Sequence, residues 1–115
     1  MHIEALRDFC LQLKEVTEAM PFDKEVLVFK VKGKMFLLTN INDFTSINVK
    51  CNPEYAIELR EKYTEVTAGY HMNKKHWNTI KINQTISDNQ IYQWIKDSYW
   101  LVVEKLPKKQ QKELR

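Results

Sequence analysis

Between Gly69 and Asn78 the chain reads Gly-Tyr-His-Met-Asn-Lys-Lys-His-Trp-Asn, a run of rings, amides and positive charge without an acidic residue. Residues of these types suit recognition better than bond-making. Lys74 and Lys75, with Lys81 just beyond, can meet phosphates, while His71 and Asn73, with His76 beside them, offer hydrogen bonds. Tyr70 and Trp77 can stack on an unpaired base. Lys32 and Lys34 flank Gly33, the only other glycine, and would supply a second cationic tip. The same residues also have a packing reading. Large rings bury much apolar area, His71 and His76 can fix the shape of a loop, and lysines at a hairpin tip keep sheet edges apart.

Other chemistries find less support in the residues. A phosphate-cradling loop needs several glycines so that the backbone can approach its ligand, and Gly33 and Gly69 do not make one. His71 and His76 stand five apart with no Cys-x-x-Cys or His-Glu-x-x-His pattern nearby, so no metal site and no cofactor is expected. Cys51 with His71 or His76 would be a thiol nucleophile with a base only if the fold joined them, and an isolated cysteine is ordinarily a small core residue. The expectation is a protein that is not an enzyme.

These residues need elements to hold them. Ile3, Leu6, Phe9, Leu13, Val16 and Met20 recur at steps of three and four, which predicts one helix ending at Pro21. Residues 26–31 are β-branched and aromatic, Lys32-Gly33 can reverse the chain, and residues 34–39 resume an apolar run, which predicts a hairpin. Residues 46–50 alternate as a half-buried strand does. Asn52 is placed to cap a helix with Pro53 in its first turn, running to about Tyr63 with Tyr55, Leu59 and Tyr63 inward. Short strands follow at 66–68 and 76–82. Ser87 and Gln90 have capping-box spacing before the periodic run from Ile91 to Val102, and Pro107 breaks that helix ahead of a short tail helix. The sum is an α+β fold, a mostly antiparallel sheet of about five strands with helices packed on one face and the other face left open.

With 115 residues, 43% of them apolar and 29% charged, the chain fits a single domain over 1–115 with an ordinary core. Cys10 and Cys51 are too few for a disulfide framework and the first residues lack the apolar run of a signal peptide, so a cytoplasmic location is expected. No stretch is apolar enough to predict a membrane span. The net charge of +3 is concentrated at the end, where residues 105–115 carry five basic side chains against Glu113 and leave the remainder slightly acidic. Such a basic tail helix, with Leu106 and Leu114 among its cations, could dock on an acidic groove of a protein partner. The alternative is a frayed and solvated end.

Five segments together resemble the MmcQ/YjbR family of small bacterial proteins: Met20-Pro21-Phe22-Asp23, Lys34-Met35-Phe36, Ile47 through Glu54, Gly69 through Asn78, and Leu106-Pro107-Lys108-Lys109. The resemblance implies an α+β fold related to the CyaY/frataxin-like superfamily, with two projecting β-elements described as a double wing. It also implies a DNA-binding role and no enzymatic activity. On that footing the candidate nucleic-acid-binding residues are Lys32, Lys34, Tyr70, His71, Asn73, Lys74, Lys75, His76, Trp77 and Lys81. The alternative is a protein-interaction adaptor using the same loop or the basic tail.

Overall fold

A computed structural model describes residues 1–69 and 72–115. In chain order these form α1 (Ile3–Gln12), β1 (Val16–Ala19), β2 (Val26–Val31), β3 (Lys34–Asn40), β4 (Ser46–Lys50), α2 (Pro53–Lys62), β5 (Val66–Ala68), β6 (Trp77–Lys81), α3 (Asp88–Glu104) and α4 (Lys108–Leu114). The strands make one six-stranded sheet in the order β1-β2-β3-β4-β6-β5, every pairing antiparallel.

The β2-β3 hairpin forms as predicted. Lys32 and Gly33 both adopt positive φ, 51° and 79°, the two-residue turn whose twist matches that of the strands it joins. Asn52 caps α2 by accepting the Glu54 amide at 3.0 Å, and Ser87 caps α3 by accepting the Gln90 amide at 3.2 Å. Along β2, Leu27, Phe29 and Val31 face the helices and join Ile47, Val49, Ile80, Leu6, Ile91, Ile95 and Tyr99 in the main core. Alternate residues Val28 and Leu38 point to the opposite face, where Trp77 joins them in a second, smaller cluster. Period-two alternation thus divides the sheet between a helix-covered side and an open side.

Three expectations need correction. The first helix stops at Gln12, and residues 16–19 form the edge strand that raises the sheet from five strands to six. Leu13, the C-cap, is already extended at φ −69° and ψ 144°, which ends helical winding; Glu15 then turns the chain through a positive φ of 61°, and the next residues, Val16 and Thr17, are β-branched and favour a strand. Extended, they satisfy the backbone of β2 along the partners Val16↔Val31 to Ala19↔Val28. The steps of three and four fitted residues 3–12 and continued to Met20 by coincidence with the alternation of a strand.

In α2 the inward stripe is Ala56 and Leu59, with Tyr63 half-buried edge-on against Trp94 at 5.2 Å. Tyr55 is instead 40% exposed, one helical position off that stripe.

The tail is not frayed but forms the short helix α4. Leu106 and Leu114 are buried in the main core. The Gln111 side-chain amide donates to the carbonyls of Leu106 at 2.7 Å and Glu104 at 3.1 Å, closing the C-terminal end of α3.

Candidate nucleic-acid interface

The described part of the 69–78 loop is braced by hydrogen bonds. The Gly69 amide donates to the Trp77 carbonyl at 2.9 Å, and the Asn73 carbonyl accepts both the His76 and Trp77 amides, at 3.1 and 3.0 Å. Asn73 also turns its side-chain oxygen onto the Lys75 amide at 3.0 Å, an Asx turn that commits the amide to the loop. A Cβ at position 69 would lie 2.9 Å from the Trp77 Cβ and 3.1 Å from its carbonyl oxygen. Glycine is required there by close approach of the two chain segments.

Arg60, on α2, clamps this loop from outside. Its guanidinium donates to the Asn78 side-chain oxygen at 2.7 Å, to the Trp77 carbonyl at 3.3 Å and to the Lys74 carbonyl. Asn78 is 1% exposed and returns its amide to the Ala56 carbonyl at 3.4 Å. No motif spacing announces this clamp. Arg60 stands in sequence as one cation on a helix face rich in glutamate.

The expected site residues therefore divide. Trp77 is 4% exposed and packs with Val28, Leu38 and Met72 on the open side of the sheet, so its ring does not stand ready to stack. Lys32 turns toward α4, where its ammonium meets Glu113 at 2.7 Å with Glu15 at 3.8 Å. Both carboxylates hold its pKa above the ordinary lysine value, and it does not form a free cationic tip. Lys81 lies at the far end of β6, paired with Ser46, while Trp77 pairs with Lys50. Four residues at roughly 3.3 Å each place it about 13 Å from the loop end. Lys34, Lys75 and His76 are exposed, as are Asn73 and Lys74. Tyr70 and His71 lie outside the described residues.

A different set of cations converges at the hairpin end of the sheet. The end of β4 sits between the β2-β3 turn and the start of β6, and the Cys51 amide donates to the His76 carbonyl at 2.7 Å. Lys50 is half-buried there, its ammonium 5.8 Å from the centre of the Trp77 ring. Burial, then Lys105 and Lys34, depress its pKa below the ordinary value. The two lysines stand close enough to repel it, and among the described residues no ion pair reaches Lys34, Lys50 or Lys105. Lys50, His76 and Lys105 line one hollow with Cys51, Asn52, Pro53 and Leu101. His76 continues into a second hollow with Lys74, Lys75 and Arg60. Neither wall carries a carboxylate among the described residues.

Beside this band, α2 and α3 enclose a cleft of about 250 Å³ over the ends of β4 and β6. Trp94 is 3% exposed on its wall, and among the described residues its indole N–H has no hydrogen-bond partner. An unsatisfied buried donor of this kind costs about 1–3 kcal/mol. Cys51 also lines the cleft, and burial followed by the nearby Asp97 carboxylate pushes its thiol up to about 11. The sulfur is thus protonated at neutral pH, which disfavours a thiolate nucleophile. Lys50 and Ser98 hold the frame: the Lys50 amide donates to the Ser98 hydroxyl at 2.8 Å, which donates to the Phe36 carbonyl at 2.6 Å. Phe36 is the extra residue where the register of β2 and β3 shifts, so a side chain from α3 fills a break in the backbone ladder.

The family model described as YjbR matches residues 11–101. The uncharacterized protein YbdF of Escherichia coli O157:H7 is 36% identical over 113 residues, covering 97% of this chain and 93% of its own length. The uncharacterized protein YjbR of Escherichia coli K12 is 28% identical over 113 residues, covering 97% of this chain and 96% of its own. Among solved structures, the crystal structure of Deinococcus radiodurans protein DR2400, described by the domain DUF419, superposes with a TM-score of 0.93 at 37% identity. That match covers 98% of this chain and 87% of the other. A Pseudomonas syringae protein follows with a TM-score of 0.73 at 27% identity, covering 88% of this chain and 98% of its own.

Proposed function

The chain belongs to the YjbR family, and from that premise we propose that it is a non-enzymatic, cytoplasmic nucleic-acid-binding module whose contact surface is the cationic band at the hairpin end of the sheet. Lys34, Lys50 and Lys105 lie against one end of the band, and Lys75 with His76 continues it. The observation that carries the reading is the convergence of Lys50, Lys105, His76, Lys75 and Arg60 on two adjoining hollows whose walls hold no carboxylate among the described residues. A phosphate placed among them relieves repulsion that the folded protein otherwise bears. The two hollows that share His76 run along the same end of the sheet with basic walls, as a phosphate backbone requires. Lys32 and Trp77 have no direct part in this contact. Their roles are to hold α4 and to floor the open side of the sheet.

The charge excess is small, so binding is modest and steeply salt-dependent. Fluorescence anisotropy on labelled duplex and single-stranded DNA, titrated from low ionic strength upward, tests the reading. Lys34→Gln, Lys50→Gln and Lys105→Gln are expected to weaken binding and flatten its dependence on salt. Absence of binding at low ionic strength would refute it.

The adaptor alternative is supported by Ile57, 52% exposed beside Lys75 and His76. It retains only the loop surface, because Leu106 and Leu114 are spent on the core.

A further inference from the structure

We propose that the cleft between α2 and α3 receives one unpaired nucleobase, with the phosphate attached to it resting on Lys50 and Lys105. The inference rests on the nucleic-acid reading above and names its partner as a single strand. Four observations lead there.

The first is size. An apolar cavity of about 150 Å³ already accepts a benzene ring, so about 250 Å³ gives room for a planar base. The second is the lining. Tyr55 and Trp100 are 40% and 37% exposed on the walls of the cleft, rings placed where an entering base can stack, and Leu59, Ile80 and Leu101 supply apolar contact.

The third is hydrogen bonding. The indole N–H of Trp94 is shielded from solvent and has no acceptor among the described residues; a base that presses past the wall to it would supply one as a ring nitrogen or a carbonyl. Asp97 stands on the same wall with one oxygen accepting from Gln93 at 2.9 Å; its other oxygen can accept from an exocyclic amine. Asn78, also on the wall, is already satisfied by Arg60 and Ala56 and competes for neither group. A donor for an acceptor and an acceptor for an amine favour the amino-bearing bases adenine, cytosine and guanine over thymine and uracil.

The fourth is continuity. Lys50, Cys51, Asn52 and Leu101 line both the cleft and the hollow that holds Lys105 and His76. A nucleotide with its base in the cleft therefore meets the band with its phosphate, and no second surface is needed. Base pairing hides the edges that Trp94 and Asp97 would read, which is why the partner is single-stranded.

The experiment compares twelve-nucleotide strands of deoxycytidine, of thymidine and of abasic sugar by anisotropy at one low salt concentration. In parallel, adenosine and cytidine monophosphate are titrated while the Trp94 indole N–H resonance is followed by NMR. The expected order is deoxycytidine over thymidine over abasic, with about ten-fold between the first and the last. A shift of the indole resonance with either mononucleotide is also expected. Trp94→Phe, which keeps a ring and removes the N–H, should shrink the gap several-fold and leave the salt slope unchanged. Tyr55→Ala, on the exposed rim, should do the same without risk to the core. Equal binding of all three strands, with a silent indole, overturns the cleft and leaves the phosphate band standing. An indole shift with mononucleotides but no binding of any strand preserves the cleft and removes the band. Silence in both arms removes both.

Discussion

The 69–78 loop and the cationic band are built in opposite ways from similar residues. In the loop, chemically capable side chains stand next to one another in sequence, and the fold turns several inward: Asn73 closes a turn, Trp77 packs under the sheet, and Asn78 anchors Arg60. In the band, Lys34, Lys50 and Lys105 come from three separated segments, and no two of them share a motif. Their proximity arises only from the order of the strands and the length of α3. The contrast teaches that density of polar and aromatic residues marks a place where the chain must be held tightly, whereas a surface for a partner can be assembled from residues that look ordinary one at a time.

The sharpest way to break the comparison is to cut the clamp. Arg60→Met keeps the aliphatic stem and removes every donor, leaving the buried Asn78 oxygen and the carbonyls of Lys74 and Trp77 without their partner. A loss of roughly 3 kcal/mol is expected, read from the urea midpoint at unchanged slope. If stability holds, the loop is not the brace described.

Gly69→Ala comes next. Its Cβ would press within 2.9 Å of the Trp77 Cβ, and a cost of about 2 kcal/mol is expected from the forced shift. Calorimetry on the variant checks it, with Gly33→Asn as the partner measurement. Position 33 needs a positive φ of 79° but has nothing within 4 Å of a Cβ, so asparagine, which tolerates that conformation, should cost less than 1 kcal/mol.

These two positions also show what the sequence discloses. The Lys32-Gly33 turn, the caps at Asn52 and Ser87 and the buried stripe of α3 were legible because each follows from local rules: a turn that needs positive φ, a donor that needs a cap, a period of 3.6. The YjbR resemblance likewise rested on contiguous residues. β1 was illegible because Val16 and Met20 continue a helical spacing by accident, and only the unpaired edge of β2 makes the strand preferable. In the candidate site, the sequence singled out Lys34, Lys75 and His76, which are exposed, but neither Lys50 nor Arg60, and it read Lys105 only as part of the basic tail. Lys50 ends an alternating strand and Lys105 follows a helix, so each has an ordinary local explanation. Their proximity is a property of the topology. The opposite failure applies to Lys32 and Trp77, where the sequence offered a cation and a ring and the fold had already engaged both.

Charge substitutions sharpen the comparison from the other side. Lys34→Gln and Lys105→Gln should change stability by less than about 0.5 kcal/mol, and each should lower the salt slope of single-strand binding by about 0.7 if it releases one counterion. Lys32→Gln should leave that slope unchanged, because Glu113 and Glu15 already neutralise it. A slope that responds to Lys32 as strongly as to Lys34 would mean that the salt bridge to α4 opens on binding.

The smallest effect belongs to Lys50 and appears at high pH. Burial, Lys105 and Lys34 disfavour its charged form, so in the free protein its proton leaves below the ordinary value of 10.5. In the unfolded chain the same group keeps the ordinary value. The shift therefore opposes folding at neutral pH, and this opposition is relieved as pH rises through the interval between the depressed and ordinary values. Binding follows the reverse sign. A phosphate seated against the ammonium favours the charged form and draws the pKa back up, so affinity falls as pH rises through the free protein's depressed value. Anisotropy across this interval should show an early limb in the native protein, worth one charge, that Lys50→Gln lacks. An identical pH profile in the two proteins would place the bound phosphate away from Lys50, and with it the junction between band and cleft.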